Sequence, residues 1–220
     1  MIGAVAGALL LLNCGDFNPM NDAEYLIRVG DYSVTAVDFN NALEFAKTAY
    51  PHNAMQGTEL NKSIRLRLFD QLIEEVILLQ KAKDLGISVS DAEVEAAIAE
   101  IKSDYPDDVF EQTFLENAVS YEVWKERMTK RLIIQKVVAS ELEDKISITP
   151  DDIAKYYSEN YTNAVRDPDS FEESKQLNRL IVNSIRREKA ELEYQSWISR
   201  IKNEYAIDIN KDLWEKLASP

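Results

Sequence analysis

A mostly α-helical fold with one small β element is what this chain of 220 residues predicts, on three observations. Apolar residues recur at steps of three and four through most of the chain, the spacing that lines one face of a helix. Glycine is scarce, with Gly30, Gly57 and Gly86 alone beyond residue 15, so tight turns are few and long helices many. Helix-start pairs, Ser or Thr followed three residues later by an acidic residue, stand at Thr35, Ser90 and Ser170. An apolar share of 45% is enough for a real core, in one generous domain or two small ones.

The first thirteen residues, MIGAVAGALLLLN, are uncharged and apolar. They are too short to span a bilayer, which takes about 20 residues, and suit the core of a secretory signal peptide over residues 1–13. Cys14, the only cysteine, follows directly. A lone thiol closes no internal disulfide, and zinc sites need several Cys or His ligands. LLNC resembles the lipobox of bacterial lipoproteins through Leu11 and Cys14, and departs from it in Asn13 and in the lack of a Lys or Arg before the apolar run. That resemblance implies lipid attachment at Cys14, a tether over residues 14–24 and, through Gly15, the outer rather than the inner membrane. The alternative is an ordinary secretory peptide with an incidental cysteine.

The folded part is expected to begin at Tyr25. YLIRVGDYSVT alternates apolar residues on both sides of Gly30-Asp31 and reads as a β-hairpin. Thr35 with Asp38 caps the next helix, and a loop from Pro51 to Gly57 follows. The helix from Leu60 to Leu85 has Leu68, Leu72, Val76 and Leu79 on one face with Phe69, Ile73 and Ile77 beside them, a stripe wide enough to be buried against several neighbours. Gly86 is its C-cap, and the capping box Ser90 to Glu93 restarts a helix. A short helix through DVFEQTFLENA comes next. Ser120 then opens a long one carrying Tyr121, Trp124, Met128 and Leu132, and continuing through Val138 and Leu142 to about Lys145. Thr149 caps a further helix with Pro150 at its first position.

TNAVRDPDS interrupts the pattern, and the last helix runs from Ser170 to Glu204 with Leu177, Ile181, Ala190, Tyr194, Trp197, Ile201 and Tyr205 on its face. YAIDI alternates like a strand. Two strands alone rarely hold, so this one is expected to join the hairpin and bring the chain ends together. The expected organisation is a helical part over residues 25–165, with residues 166–220 packing back on it.

Candidate chemistry is thin. A formal charge of −14 disfavours nucleic acid, which needs concentrated Lys and Arg, and suits basic or partly unfolded polypeptides better. No Gly-rich phosphate loop appears, so neither ATP nor another cofactor is expected. His52, the single histidine, falls in an expected loop without a base or ligand beside it. The clusters EVEAAIAE, ELED and PDD read as helix caps and solvated faces. DPDSFEE lacks the glycine and ligand spacing of a calcium loop, and RRE at 186–188 reads as surface charge pairing.

The run LFDQLIEEVILLQKAKDLGISVSDAEVEAAIAEIK, residues 68–102, resembles the N-terminal chaperone segment of SurA- and PrsA-type foldases. FEQTFLENAVSYEVWKERMTKRLIIQKVV is similar to that family's next helix pair, and ISITPDDIAKYYSEN to its segment leading out of the domain. YLIRVGDYSVTAVDF resembles its opening hairpin, with Gly-Asp in place of the usual Asn-Gly. AELEYQSWISRIKNEYAIDI resembles the closing helix and strand that complete the domain. The resemblance implies a chaperone domain of SurA N-terminal type. Full foldases of the family insert parvulin-type prolyl isomerase domains between the two parts, where this chain has only TNAVRDPDSFEE. Isomerase activity is therefore not expected.

A polypeptide carrier without an enzyme site works through adaptable apolar surface. Phe110, Phe114, Tyr121, Trp124 and Met128 are the candidate client-binding residues, and the plainer reading is that most of them are core. The expected function is a lipid-anchored, envelope-side holdase for unfolded exported polypeptides. The alternatives are an assembly lipoprotein holding one folded partner and an isomerase relative with degenerate activity.

Overall fold

The computed structural model describes residues 25–47, 50, 58–106, 109–116, 120–160 and 171–219. Expectations for the signal segment, Cys14, the tether, His52, the Ser170 cap and the bridge at 161–170 lie outside them.

Strands β1 (Tyr25–Val29) and β2 (Tyr32–Thr35) pair antiparallel, with Val29 opposite Tyr32 across the two-residue loop. Gly30 has φ +56°, the left-handed conformation that hairpin loops of this length demand. The order is then α1 (Ala36–Lys47), α2 (Thr58–Asp84), α3 (Asp91–Ser103), α4 (Val109–Glu116) and α5 (Tyr121–Glu141). A single 3₁₀ turn at Glu143–Lys145 leads to α6 (Pro150–Asn160), α7 (Phe171–Glu204), β3 (Asp208–Ile209) and α8 (Lys211–Ala218).

Local chemistry sets the boundaries. Thr35, Ser90 and Thr149 each form a reciprocal capping pair with the acidic residue three positions on, as in Ser90 N–H to Glu93 Oε2 at 2.9 Å and Thr149 N–H to Asp152 Oδ2 at 2.8 Å. Ser120 precedes α5 in extended geometry without a side-chain cap bond. Helix α2 ends in a Schellman motif: Ile87 N–H reaches Ala82 C=O at 2.8 Å and Gly86 N–H reaches Lys83 C=O at 3.0 Å, with Gly86 at φ +67°. Helix α5 stops short of the expected Lys145 because Leu142 leaves helical geometry and the 3₁₀ turn follows.

The strand expected from YAIDI is there but short, and it adds to the other edge of β1, with Ile27 opposite Ile209 and Arg28 opposite Asp208. The sheet order is β2-β1-β3, so β1 is central, between its hairpin partner and a strand some 180 residues further on. Tyr25 OH and Arg28 both bond Asp208, at 2.7 and 3.0 Å, and hold that carboxyl below its usual range.

The main core lies between this sheet, α1, α2, the second half of α5 and the end of α7. Leu26, Ile27, Val29, Phe39, Ile77, Val137 and Ile198 are fully or almost fully buried in it. The α2 stripe is buried throughout, as its width predicts. Gln80 is the one polar side chain among the buried residues described, 8% exposed. Its Oε1 accepts from Asp31 N–H of the hairpin loop at 2.9 Å, and its Nε2 donates to Asp84 Oδ1 at 2.8 Å. Tyr205 OH donates to the other oxygen of Asp84 at 2.7 Å. That proton is hard to remove, since burial and the Asp84 carboxylate push the Tyr205 pKa up. Hairpin, α2 and the end of α7 are thus joined by one satisfied polar chain.

Helix α8 was not expected. Asn210 Oδ1 caps it by accepting from Leu213 N–H at 3.1 Å, and Arg65 donates to Leu217 C=O at its far end at 2.7 Å. Its Trp214 stacks on Phe69 at 3.8 Å and meets Phe39 edge-on at 5.7 Å.

Candidate functional site

Helix α5 serves two cores. Its second half, with Ile133, Ile134, Val137 and Val138, faces the main body, whereas Trp124, Met128 and Leu132 turn to the other side. There they meet Val94, Ile98 and Ile101 of α3 and Phe110 and Phe114 of α4 in a separate apolar cluster. All five candidate residues of the sequence come together in this small lobe. Phe110 and Met128, 7% and 8% exposed, form its buried floor; Phe114 and Trp124 are half-buried, and Tyr121 is 38% exposed.

The rings form a connected chain. Phe110 contacts Phe114 at 5.1 Å and Trp124 at 5.5 Å, Phe114 contacts Trp124 at 5.2 Å and Tyr121 at 5.8 Å, and Tyr105 meets Phe110 at 5.7 Å. These are edge-to-face geometries, which aromatic quadrupoles favour. Tyr105, 43% exposed, was missed from sequence because it follows the end of α3, outside any helical periodicity. A shallow groove of about 270 Å³ continues from the lobe between α3 and α5, lined by Val89, Glu93, Leu132, Gln135, Lys136 and Ala139.

Ion pairs brace the lobe. Lys136 holds Glu93 at 2.6 Å and Lys125 holds Glu95 at 2.5 Å, both between α3 and α5. The Lys136 ammonium, helped by the Ser90 N–H and hydroxyl, brings the Glu93 carboxyl down to about 2. Lys189 of α7 with the Thr149 backbone and hydroxyl does the same for Asp152 of α6, also to about 2. A carboxyl held below its unfolded pKa stabilises the fold above that unfolded value, and the contribution is lost as pH falls through the folded one. Stability should therefore drop as pH falls from about 4.5 towards about 2. We expect Glu93→Gln with Asp152→Asn to flatten that acid limb in thermal melts at stepped pH; an unchanged slope would refute the assignment.

Among the described residues no group of three or more His, Cys, Asp or Glu could hold a metal ion, and no helix is long and apolar enough to cross a membrane. What the site offers is an aromatic, partly open surface with a groove beside it.

A small antiparallel sheet closed by β3, one long central helix and an aromatic helical lobe define a mostly α-helical class of domain. The chain belongs to the SurA-like N-terminal domain family, whose profile matches residues 1–138. It is 28% identical over 163 residues to the foldase protein PrsA of Clostridium botulinum strain Loch Maree, covering 71% of this chain and 48% of that one. Another C. botulinum PrsA, from strain 657, is 32% identical over 122 residues, covering 53% of this chain and 36% of its own length. The chaperone SurA of Photorhabdus laumondii is 26% identical over 118 residues, covering 53% and 27%. This chain thus spans half or less of the length of these curated relatives. Its fold is similar to a solved chain from a study describing the virulence factor PEB4 and the periplasmic protein Cj1289 of Campylobacter jejuni as SurA-like chaperones, with a TM-score of 0.51 and 13% identity over 84% of this chain and 98% of that one.

Proposed function

We propose that this protein is an ATP-independent holdase for exported polypeptides, binding them in unfolded form through the aromatic lobe and without prolyl isomerase activity. The observation that carries the reading is the position of the rings. Tyr105, Phe114, Tyr121 and Trp124 gather outside the main core and are partly open, where a monomer would ordinarily bury or omit them. Family membership supports a chaperone role, and the short bridge between α6 and α7 supports the lack of an isomerase insert.

Light scattering of an unfolded secreted protein tests it. The chain should suppress aggregation at near-stoichiometric ratio. Tyr121→Ala with Trp124→Ala should raise the amount needed by about threefold or more, because truncating aromatic anchors removes a large share of contact energy. Helix content by circular dichroism confirms that the variant still folds. Failure to suppress aggregation would refute the holdase reading, and turnover of a proline peptide would refute the claim on isomerisation.

We also propose a signal segment over residues 1–13, lipid attachment at Cys14 and a tether over residues 14–24 that holds the protein at the envelope, outer membrane first. Mass spectrometry of the mature N-terminus reports cleavage and acylation together, and an unmodified Cys14 would remove the anchor. Crosslinking in cells separates a holdase, with many unfolded partners, from an assembly lipoprotein with one folded partner.

A further inference from the structure

The two apolar cores of this chain differ greatly in size and share no residue. Among the described residues the main core holds twenty-one buried side chains, whereas the aromatic lobe holds four, Val94, Ile98, Phe110 and Met128. Among them none from α1, α2, α6 or α7 packs in the lobe, and α5 alone of the helices belongs to both cores. The connection from α2 to α3 changes core within three residues: Ile87 packs on the main core, Val89 on the lobe, and Ser88 between them is exposed. Gly86, just before, has φ +67° and open space where a side chain would stand. Two lysines of α5 fasten α3 and its approach. Lys125 Nζ meets Glu95 at 2.5 Å, and Lys136 Nζ meets Glu93 at 2.6 Å and the Ser88 carbonyl oxygen at 2.9 Å.

A unit with few buried apolar contacts opens at lower free energy than the whole fold, so the lobe is the weaker cooperative unit of the two. The shallow groove lined by Val89, Leu132 and Ala139 runs along the same seam between α3 and α5, beside Ser88. We infer that α3 and α4 open from α5 about Ser88 while the main body stays folded, and that aliphatic side chains of a client enter the opened seam. Val94, Ile98, Met128 and Leu132, packed together in the closed lobe, then face the client, and the unbranched Met128 adapts to varied shapes. The inference rests on the holdase reading and adds to its ring surface a seam that closes when empty, which keeps this apolar area from other chains. Because the closed form withholds the seam, apparent affinity scales with the open fraction, and loosening the two lysine latches raises it.

Native-state hydrogen exchange of the full chain tests the opening. Amides of α3 should exchange at least about tenfold faster than those of α2, and low urea should speed α2 far more than α3, because opening the lobe exposes less surface. Lys125→Ala with Lys136→Ala should speed α3 further. The same pair should tighten binding of a labelled, uncharged, unfolded peptide of Leu, Val, Ser and Gln by about threefold in fluorescence anisotropy, the scale that two surface ion pairs allow. Lys189→Ala with Lys202→Ala, an equal loss of charge from the pairs with Asp152 and Glu74, should do neither. Exchange of α3 in step with α2, no gain in affinity on removing the latches, or an equal gain from the control pair overturns the inference, and with aggregation still suppressed the holdase reading stands. An α3 that opens independently, with no peptide bound and no suppression, removes the holdase reading and the client's entry with it.

Discussion

Trp214→Ala should destabilise the protein by about 3 kcal/mol, near the lower end for truncating a large aromatic because the ring is only partly buried. The indole lies flat on Phe69 at 3.8 Å and edge-on to Phe39 at 5.7 Å, so its loss opens a gap over two core rings that α1 and α2 cannot close. Helix α8 has eight residues, too few to persist without such packing. Its capping by Asn210 and the Arg65 bond to Leu217 should therefore fail with it. In a chain of this size the loss should lower the thermal midpoint by roughly 6–10 °C. Trp214→Phe, which keeps a stacking ring, should recover most of that. A midpoint unchanged by Trp214→Ala would show that α8 does not close the body.

Gly30→Val is expected to cost a similar amount for a different reason. The backbone there has φ +56°, and a Cβ would lie 2.2 Å from Gln80 Oε1. A β-branched residue meets left-handed strain and a clash together, about 3 kcal/mol in sum. The clash also displaces the amide oxygen that accepts from Asp31 N–H, loosening the link between hairpin and α2. Gln80→Ala removes the obstacle, so the double variant should be less destabilised than the sum of the singles in urea melts. Strict additivity would mean that Gln80 does not constrain the loop.

Much of this architecture was legible from spacing and caps. The α2 stripe, the capping pairs at Thr35, Ser90 and Thr149, the Gly86 stop and the hairpin loop at Gly30-Asp31 are local signals, and local geometry obeyed them. The third strand was readable from alternation together with the instability of two strands alone, though it pairs over two residues where five alternate in sequence. Helix α8 was not readable, because eight residues give little periodicity and what holds them is Phe69, far away in sequence. Gln80 looked like any polar residue in a helix; only the hairpin loop packed against it explains its burial. For the site, the step from Trp124 to Met128 to Leu132 marked an apolar face. That this face turns away from the main core, onto α3 and α4, follows from α5 having a second apolar side at Ile134 and Val138.

The central place of β1 sets an order of events during synthesis. Arg28 bonds a residue 180 positions further on, so β1 waits for a segment made long after it before its second edge is covered. Such distant contacts slow folding, and an uncovered strand edge invites pairing with other chains. Until β3 has been made and paired, the second edge of β1 stays open to such pairing, so the sheet is closed only by a segment that emerges long after the hairpin.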